Sequence, residues 1–97
     1  MAQIIWNKRA SNQFAKIQEY LFQEFGEDTV KQFTFRTFQV LELLLKYPQA
    51  GNLENKTKGI RGFVLHKHTT IYYKPQNSDI FILAVFDNRQ NPKNKPV

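Results

Sequence analysis

The amino-acid sequence predicts a single α+β domain in the order β-α-α-β-β-β, an antiparallel sheet with a two-helix hairpin packed on one face. Three observations carry that prediction. Between Ala10 and Leu45 the apolar residues recur at steps of three and four, the spacing that gathers side chains on one side of a helix. From Ile60 onward the period changes to two and the residues become β-branched and aromatic, as strands require. The 97 residues leave room for one core, because a second could not be enclosed by what remains. Helices that precede a run of strands form a separate layer instead of alternating with them.

The elements follow in order. Gln3, Ile4, Ile5 and Trp6 are too few for a helix and rich in strand formers, so they open the sheet. Asn7 is suited to cap the helix that follows. Ala10, Phe14, Ile17, Leu21 and Phe25 form its apolar stripe, with Lys16, Gln18, Glu19 and Gln23 elsewhere, and Gly26 ends it. Glu27 and Asp28 stand where negative charge favours a helix N-terminus. Val30, Phe33, Thr37, Leu41 and Leu44 continue a second stripe, widened by Phe38, Val40 and Leu45. So short a connection makes the two helices antiparallel. Pro48 and Gly51 stop the second helix, and Gln49 to Gly59 reads as an exposed polar loop. Ile60 to Leu65 alternates as a strand, His66 to His68 forms a tight turn, and Thr69 to Lys74 makes the next strand. Pro75 to Ser78 is a turn signal. Asp79 to Phe86 is apolar on both alternating faces, the mark of a well-buried strand. Residues 88–97 bring Asn, Pro and Lys in place of apolar side chains and read as an exposed tail.

Composition narrows the function classes. Hydrophobic residues at 41% and charged residues at 23% are those of a folding chain. Nine Phe and four Tyr against one Trp and one Met make the core one of rings. The chain has no Cys, which excludes disulfides, thiolate metal sites and Cys nucleophiles and fits a reducing cytoplasm. No apolar run has the length of a signal peptide or a membrane span, so a soluble, cytoplasmic protein without a membrane partner is expected. Fourteen Lys and Arg against eight Asp and Glu give +6, which favours polyanionic partners: RNA, DNA, a ribosome surface or an acidic protein. A Gly-rich phosphate loop, a glycosidase-like carboxylate pair and a nucleophile–base arrangement are all missing, and no cofactor or metal is expected.

Several stretches together resemble the RelE/ParE superfamily of toxins from type II toxin–antitoxin systems. They are Ile4-Ile5-Trp6 with Ala10, the Phe25-Gly26 junction, Leu44 followed by Tyr47-Pro48 and Gly51, Gly59-Ile60-Arg61, Ile71-Tyr72-Tyr73, and Ile82 through Asp87, Asn88, Arg89, Gln90, Asn91 and Pro92. The landmarks span nearly the whole chain, and Arg89 after the last strand is the most telling. The resemblance implies a toxin of plasmid-stabilisation type, neutralised by a cognate antitoxin whose extended or helical segment wraps it. Two chemistries compete within the superfamily. The RelE-like branch cleaves mRNA on the ribosome with a cluster of basic residues and often a Tyr or His near the C-terminus; the ParE-like branch inhibits DNA gyrase without hydrolysis. Here Val64 and Thr70 stand where RelE-like enzymes carry Lys or Arg on the middle strands, and no Tyr or His follows Arg89. Ile60 to Leu65 with Ile71 to Lys74 looks like the ParE type. The reading is therefore a ParE-like toxin acting by binding. An mRNA endoribonuclease blocking translation is one alternative, and a non-toxic basic binding module is the other.

Candidate site residues follow from the chemistry such partners require. Arg61 and Arg89 lead, because strand-borne guanidinium groups can present planar permanent charge to phosphate or carboxylate; the competing use is a structural tie to Glu54, Asp87 or backbone. His66 and His68 share a face of a regular strand and could supply an acid or base, with His66 the third catalytic candidate, although a solvated hairpin end explains both. Lys56 and Lys58 flank the polar loop and could touch nucleic acid or a protein target, or remain solvated. Tyr72 and Tyr73 face opposite sides of a strand, so one could stack on a base or partner while the other packs in the core. Tyr73 is the one assigned to target contact.

Overall fold

The computed structural model describes residues 2–89 and 93. Its elements are β1 (Ile4–Trp6), α1 (Lys8–Phe25), α2 (Glu27–Lys46), β2 (Asn52–Asn55), β3 (Ile60–His66), β4 (Thr69–Gln76) and β5 (Asp79–Asp87). The α+β class and the hairpin-then-strands order stand. Two details of the sheet differ from expectation. It has five strands in the order β1-β5-β4-β3-β2, and β1 runs parallel to β5, Ile4 opposite Ile80 and Trp6 opposite Ile82, so the sheet is mixed. The antiparallel description holds for β2 through β5. The segment 49–59, expected as a loop, contains β2. Its four residues carry one apolar side chain and no alternating pattern; pairing with β3 makes it a strand.

Local chemistry explains the helix boundaries. Asn7 Oδ1 accepts the Ala10 N–H at 2.7 Å, satisfying a donor that the first turn leaves unpaired. Between the helices Gly26 adopts φ 90°, a region that side chains rarely enter, and its N–H closes α1 on the Phe22 carbonyl at 3.0 Å. Glu27 and Asp28 occupy the first turn of α2 and Lys46 its last, complementing the helix dipole at both ends. Pro75 lies inside β4. It is tolerated there because β3 pairs with β4 only as far as Tyr73, so the position that lacks an N–H has no partner on that side.

The core forms on both faces of the sheet. On the helix side Ala10, Phe33, Val40, Leu41 and Leu44 pack on Leu65, Ile71, Tyr73, Ile80, Ile82 and Val85. Trp6, Phe14 and Phe33 join β1 to both helices through ring centroids 5.3 and 5.5 Å apart. On the other face Ile60, Tyr72, Ala84 and Phe86 form a smaller cluster. Tyr72 stands between Gly62 and Ala84 on the neighbouring strands. Its ring lies so close over Gly62 that an added Cβ would meet it at 3.1 Å. An irregularity between Tyr72 and Tyr73 shifts the register against β5, so that Ile82 and Val85, three residues apart, both reach the helix-facing cluster. Phe38, assigned to the apolar stripe of α2, is 52% exposed. The expected tail reaches the described residues only at Asn88, Arg89 and Lys93; Gln90, Asn91, Pro92 and residues 94–97 lie outside them.

Candidate functional site

The sheet carries its candidate residues at two opposite ends of the helix-facing side. Arg61 is paired across β3–β4 with Tyr73, and Asp87, just before Arg89, is paired across β4–β5 with Thr69. The backbones of Arg61 and Asp87 are therefore about 13 Å apart along the strands and about 10 Å apart across them, and Arg89 follows beyond Asp87. The two arginines do not form one cluster.

At the first end the arginine is tied to backbone carbonyls. Arg61 Nη1 donates to the Gly51 carbonyl at 2.8 Å and the Gln49 carbonyl at 3.3 Å. Tyr73 is fully buried. Its hydroxyl donates to the Pro48 carbonyl and accepts the Gly51 N–H, each at 2.8 Å. Burial pushes this phenol above its ordinary pKa, against the opposing pull of the Gly51 N–H and the Arg61 charge. Arg61 and Tyr73 thus hold the 48–51 segment, which carries the chain from α2 to β2. With no exposed surface and both hydroxyl interactions satisfied internally, Tyr73 is not available for the target contact expected of it. Lys56 and Lys58 lie exposed in the β2–β3 turn, where Asn55 Oδ1 accepts the Lys58 N–H at 3.0 Å.

At the second end the hairpin and the sheet diverge into a groove of about 720 Å³. Its apolar floor comes from Ile17, Leu21 and Phe25 of α1, Phe33 of α2 and Val85 of β5. Lys16, Arg36, His66, His68 and Arg89 add basic groups, against one carboxylate, Asp87. Arg36 Nε donates to the Leu65 carbonyl at 3.3 Å, bracing α2 against β3. Gln13 reaches from α1 to accept the Val85 N–H at 2.9 Å, beyond the end of the short β1 strand.

Arg89 binds Asp87 through both arms of the carboxylate, Nε to Oδ1 at 3.0 Å and Nη2 to Oδ2 at 2.8 Å. Its own N–H adds a third bond to Oδ1 at 2.9 Å. The guanidinium bonds hold the Asp87 carboxyl below its usual pKa, and the Arg89 N–H and the His68 charge act in the same direction. The Arg89 side chain is 56% exposed, and the Tyr20 hydroxyl of α1 also interacts with it. This places a permanent cation at the groove mouth, tied at its base and open to solvent. His66 shares the groove with Arg89, whereas Arg61 does not line it. Lys16 and Arg36 also line the groove; sequence reasoning did not single them out, because nothing local distinguishes a helix lysine or arginine beside a groove from one in open solvent.

On the opposite face of the sheet, positions 64 and 70 carry no charge. Val64 and Thr70 are direct cross-strand neighbours there. Val64 is 59% exposed, while Thr70 exchanges hydrogen bonds of 3.0 and 3.1 Å with Asn88.

The family described as "ParE toxin of type II toxin-antitoxin system, parDE" matches residues 4–92. The chain belongs to this ParE toxin family. A solved structure described as "Chromosomal ParDE TA system from P. aeruginosa" shares the fold, with a TM-score of 0.74 at 15% identity over 90% of this chain and 96% of that one. No curated protein matches the chain. Membership makes it a toxin-type protein and implies an antitoxin partner. The match includes both arginine ends of the sheet and Gln90, Asn91 and Pro92 after Arg89. Among the described residues no helix is long and apolar enough to cross a membrane, and no group of three or more His, Asp or Glu could hold a metal ion.

Proposed function

We propose that this ParE-family chain is a cytoplasmic toxin that acts by binding, with DNA gyrase as its target, and that a cognate antitoxin neutralises it by laying an acidic amphipathic segment in the groove between hairpin and sheet. The groove's chemistry is the observation that supports this reading: an apolar floor with a basic surround suits a partner that brings both apolar side chains and carboxylates. Arg89 is the residue best placed to exchange Asp87 for a carboxylate of that partner, since both are planar two-armed interactions. The separation of Arg61 from Arg89 supports binding over hydrolysis, because stabilising a phosphorane needs cations converging on one phosphate.

One observation favours the RelE-like alternative, the presence of His66, His68 and Arg89 in one groove with Lys16 and Arg36. The experiment that separates the readings is induced expression of wild type beside Arg89→Ala, with plasmid supercoiling and mRNA integrity scored in the same cultures. Growth arrest with lost supercoiling and intact mRNA is expected for the wild type. Codon-phased mRNA cuts that disappear in Arg89→Ala would overturn the binding reading and make Arg89 catalytic. Robust growth with no change in either would favour a non-toxic binding module.

A further inference from the structure

The outer face of α2 carries two rings that the core does not use. Phe35 is 66% exposed and Phe38 52%, three residues apart on one side of the helix. At about 100° per residue, Glu27, Lys31, Phe35, Phe38, Glu42 and Lys46 fall within an arc of about 100°, opposite the buried Phe33, Val40 and Leu44. Aromatic side chains, Phe among them, are enriched at protein interfaces relative to the rest of the surface.

The order of charges along this stripe identifies what fits it. From the N-terminal end it runs acid, base, Phe, Phe, acid, base. Read from the other end it presents base wherever the forward reading has acid. A second copy turned antiparallel about the midpoint between Phe35 and Phe38 therefore sets Lys31 against Glu42 of the second copy, Glu27 against Lys46 of the second copy, and Phe35 against Phe38 of the second copy. A parallel copy would oppose like charges at each of the four charged positions. Asp28, beside Glu27, adds a further carboxylate facing Lys46. The stripe is close to neutral, so it has none of the groove's bias toward an acidic partner; what it matches is its own reversed image. Among the described residues these charges are only lightly restrained: Glu27 pairs with Lys31 at 3.3 Å, with both side chains about 70% exposed, and the Lys46 ammonium lies 5.8 Å from the centre of the Tyr47 ring; an exposed ion pair of this kind exchanges partners at little cost.

We propose that α2 packs antiparallel on α2 of a second copy to form a two-fold homodimer, an isologous contact in which each pair occurs twice. The groove lies on a different surface and remains free in this dimer. The test is the oligomeric state of the purified full chain, followed by sedimentation velocity over a concentration series. The wild type is expected to dimerise with rising concentration. Lys31→Glu and Glu42→Lys each bring two like-charge contacts into the interface and are expected to weaken the dimer by roughly ten-fold or more. The double variant Lys31→Glu/Glu42→Lys restores complementarity and should dimerise as the wild type does. The two single variants, mixed, should form a heterodimer that neither forms alone. Phe35→Ser/Phe38→Ser should remain monomeric with an unchanged circular dichroism spectrum, since neither ring is buried. A wild type that stays monomeric throughout, covered by a different partner or by none, would overturn the proposal. So would a dimer indifferent to the single reversals, or one that the double variant fails to restore.

Discussion

Arg61 and Arg89 lie at opposite ends of one sheet, and the fold uses them in opposite ways. Arg61 is half-buried and donates from Nη1 to the carbonyls of Gln49 and Gly51. Arg89 is anchored by a neighbouring carboxylate two residues away and keeps its guanidinium open at the groove. Burial and the type of acceptor make the difference. Backbone carbonyls inside the fold cannot be exchanged without leaving polar groups unpaired. A carboxylate at the surface can be exchanged for another. The first end is thus structural and the second available to a partner, although the residue type is the same.

The largest expected effect that would test this contrast is at Gly51. A Cβ there would meet the Gly62 carbonyl oxygen, Tyr73 Cε1 and Tyr73 Oη, all at 2.8 Å. Gly51→Ala is expected to destabilise the protein by about 2 kcal/mol or more, measured by urea denaturation. Wild-type stability in that variant would show that the 48–51 segment is not held by Tyr73 as described.

Tyr73→Phe is the next largest. It leaves the buried Gly51 N–H without its acceptor and removes a donor from the Pro48 carbonyl, a loss of about 1–3 kcal/mol. The same hydroxyl makes stability depend on alkaline pH. Because its pKa is raised in the folded state, its contribution is fully present below the ordinary tyrosine value of about 10 and is lost as pH rises through the folded pKa. Tyrosinate absorbance should therefore show a component ionising above the ordinary tyrosine value, and Tyr73→Phe should remove it.

The smallest expected effect on stability is at the second end. Arg89→Ala should leave the thermal midpoint close to that of the wild type, because the side chain is exposed and its ion pair screened. It should nevertheless weaken antitoxin binding or toxicity. The Asp87 carboxylate, whose pKa is lowered, contributes stability above its ordinary carboxyl value and loses it as pH falls through the lowered folded pKa. Carbon-detected NMR titration of Asp87 in wild type and Arg89→Ala reads this directly. An unchanged carboxyl titration in the variant would mean that Arg89 is not what holds Asp87 ionised.

Much of the fold was legible in the sequence because it follows from local periodicity. The stripes Ala10-Phe14-Ile17-Leu21 and Phe33-Thr37-Leu41-Leu44 read correctly as helix faces, Asn7 as a cap and Gly26 as the junction. Strand β2 was hidden because Asn52, Leu53, Glu54 and Asn55 have no apolar alternation; an edge strand open to solvent needs none. The direction of β1 was hidden because three residues bear no mark of parallel or antiparallel pairing. Within the site, Arg89 stood out by its place after the buried strand. Tyr73 misled because a tyrosine on a strand looks the same whether its hydroxyl is bound internally or free.

By itself the sequence determined which segments are helix and strand, the α+β layering, the positive charge and the likeness to a toxin family, all of which rest on residue type and spacing within one segment. Tertiary structure alone decided which side of the strand pair Tyr72–Tyr73 meets Pro48 and Gly51, that Arg61 donates to backbone carbonyls, and that Lys16, Arg36, His66, His68 and Arg89 share one groove. Those outcomes depend on which distant segments meet. Spacing along a chain says which residues share a face, but only the packing of faces says whether a polar atom ends against a carbonyl, a carboxylate or water.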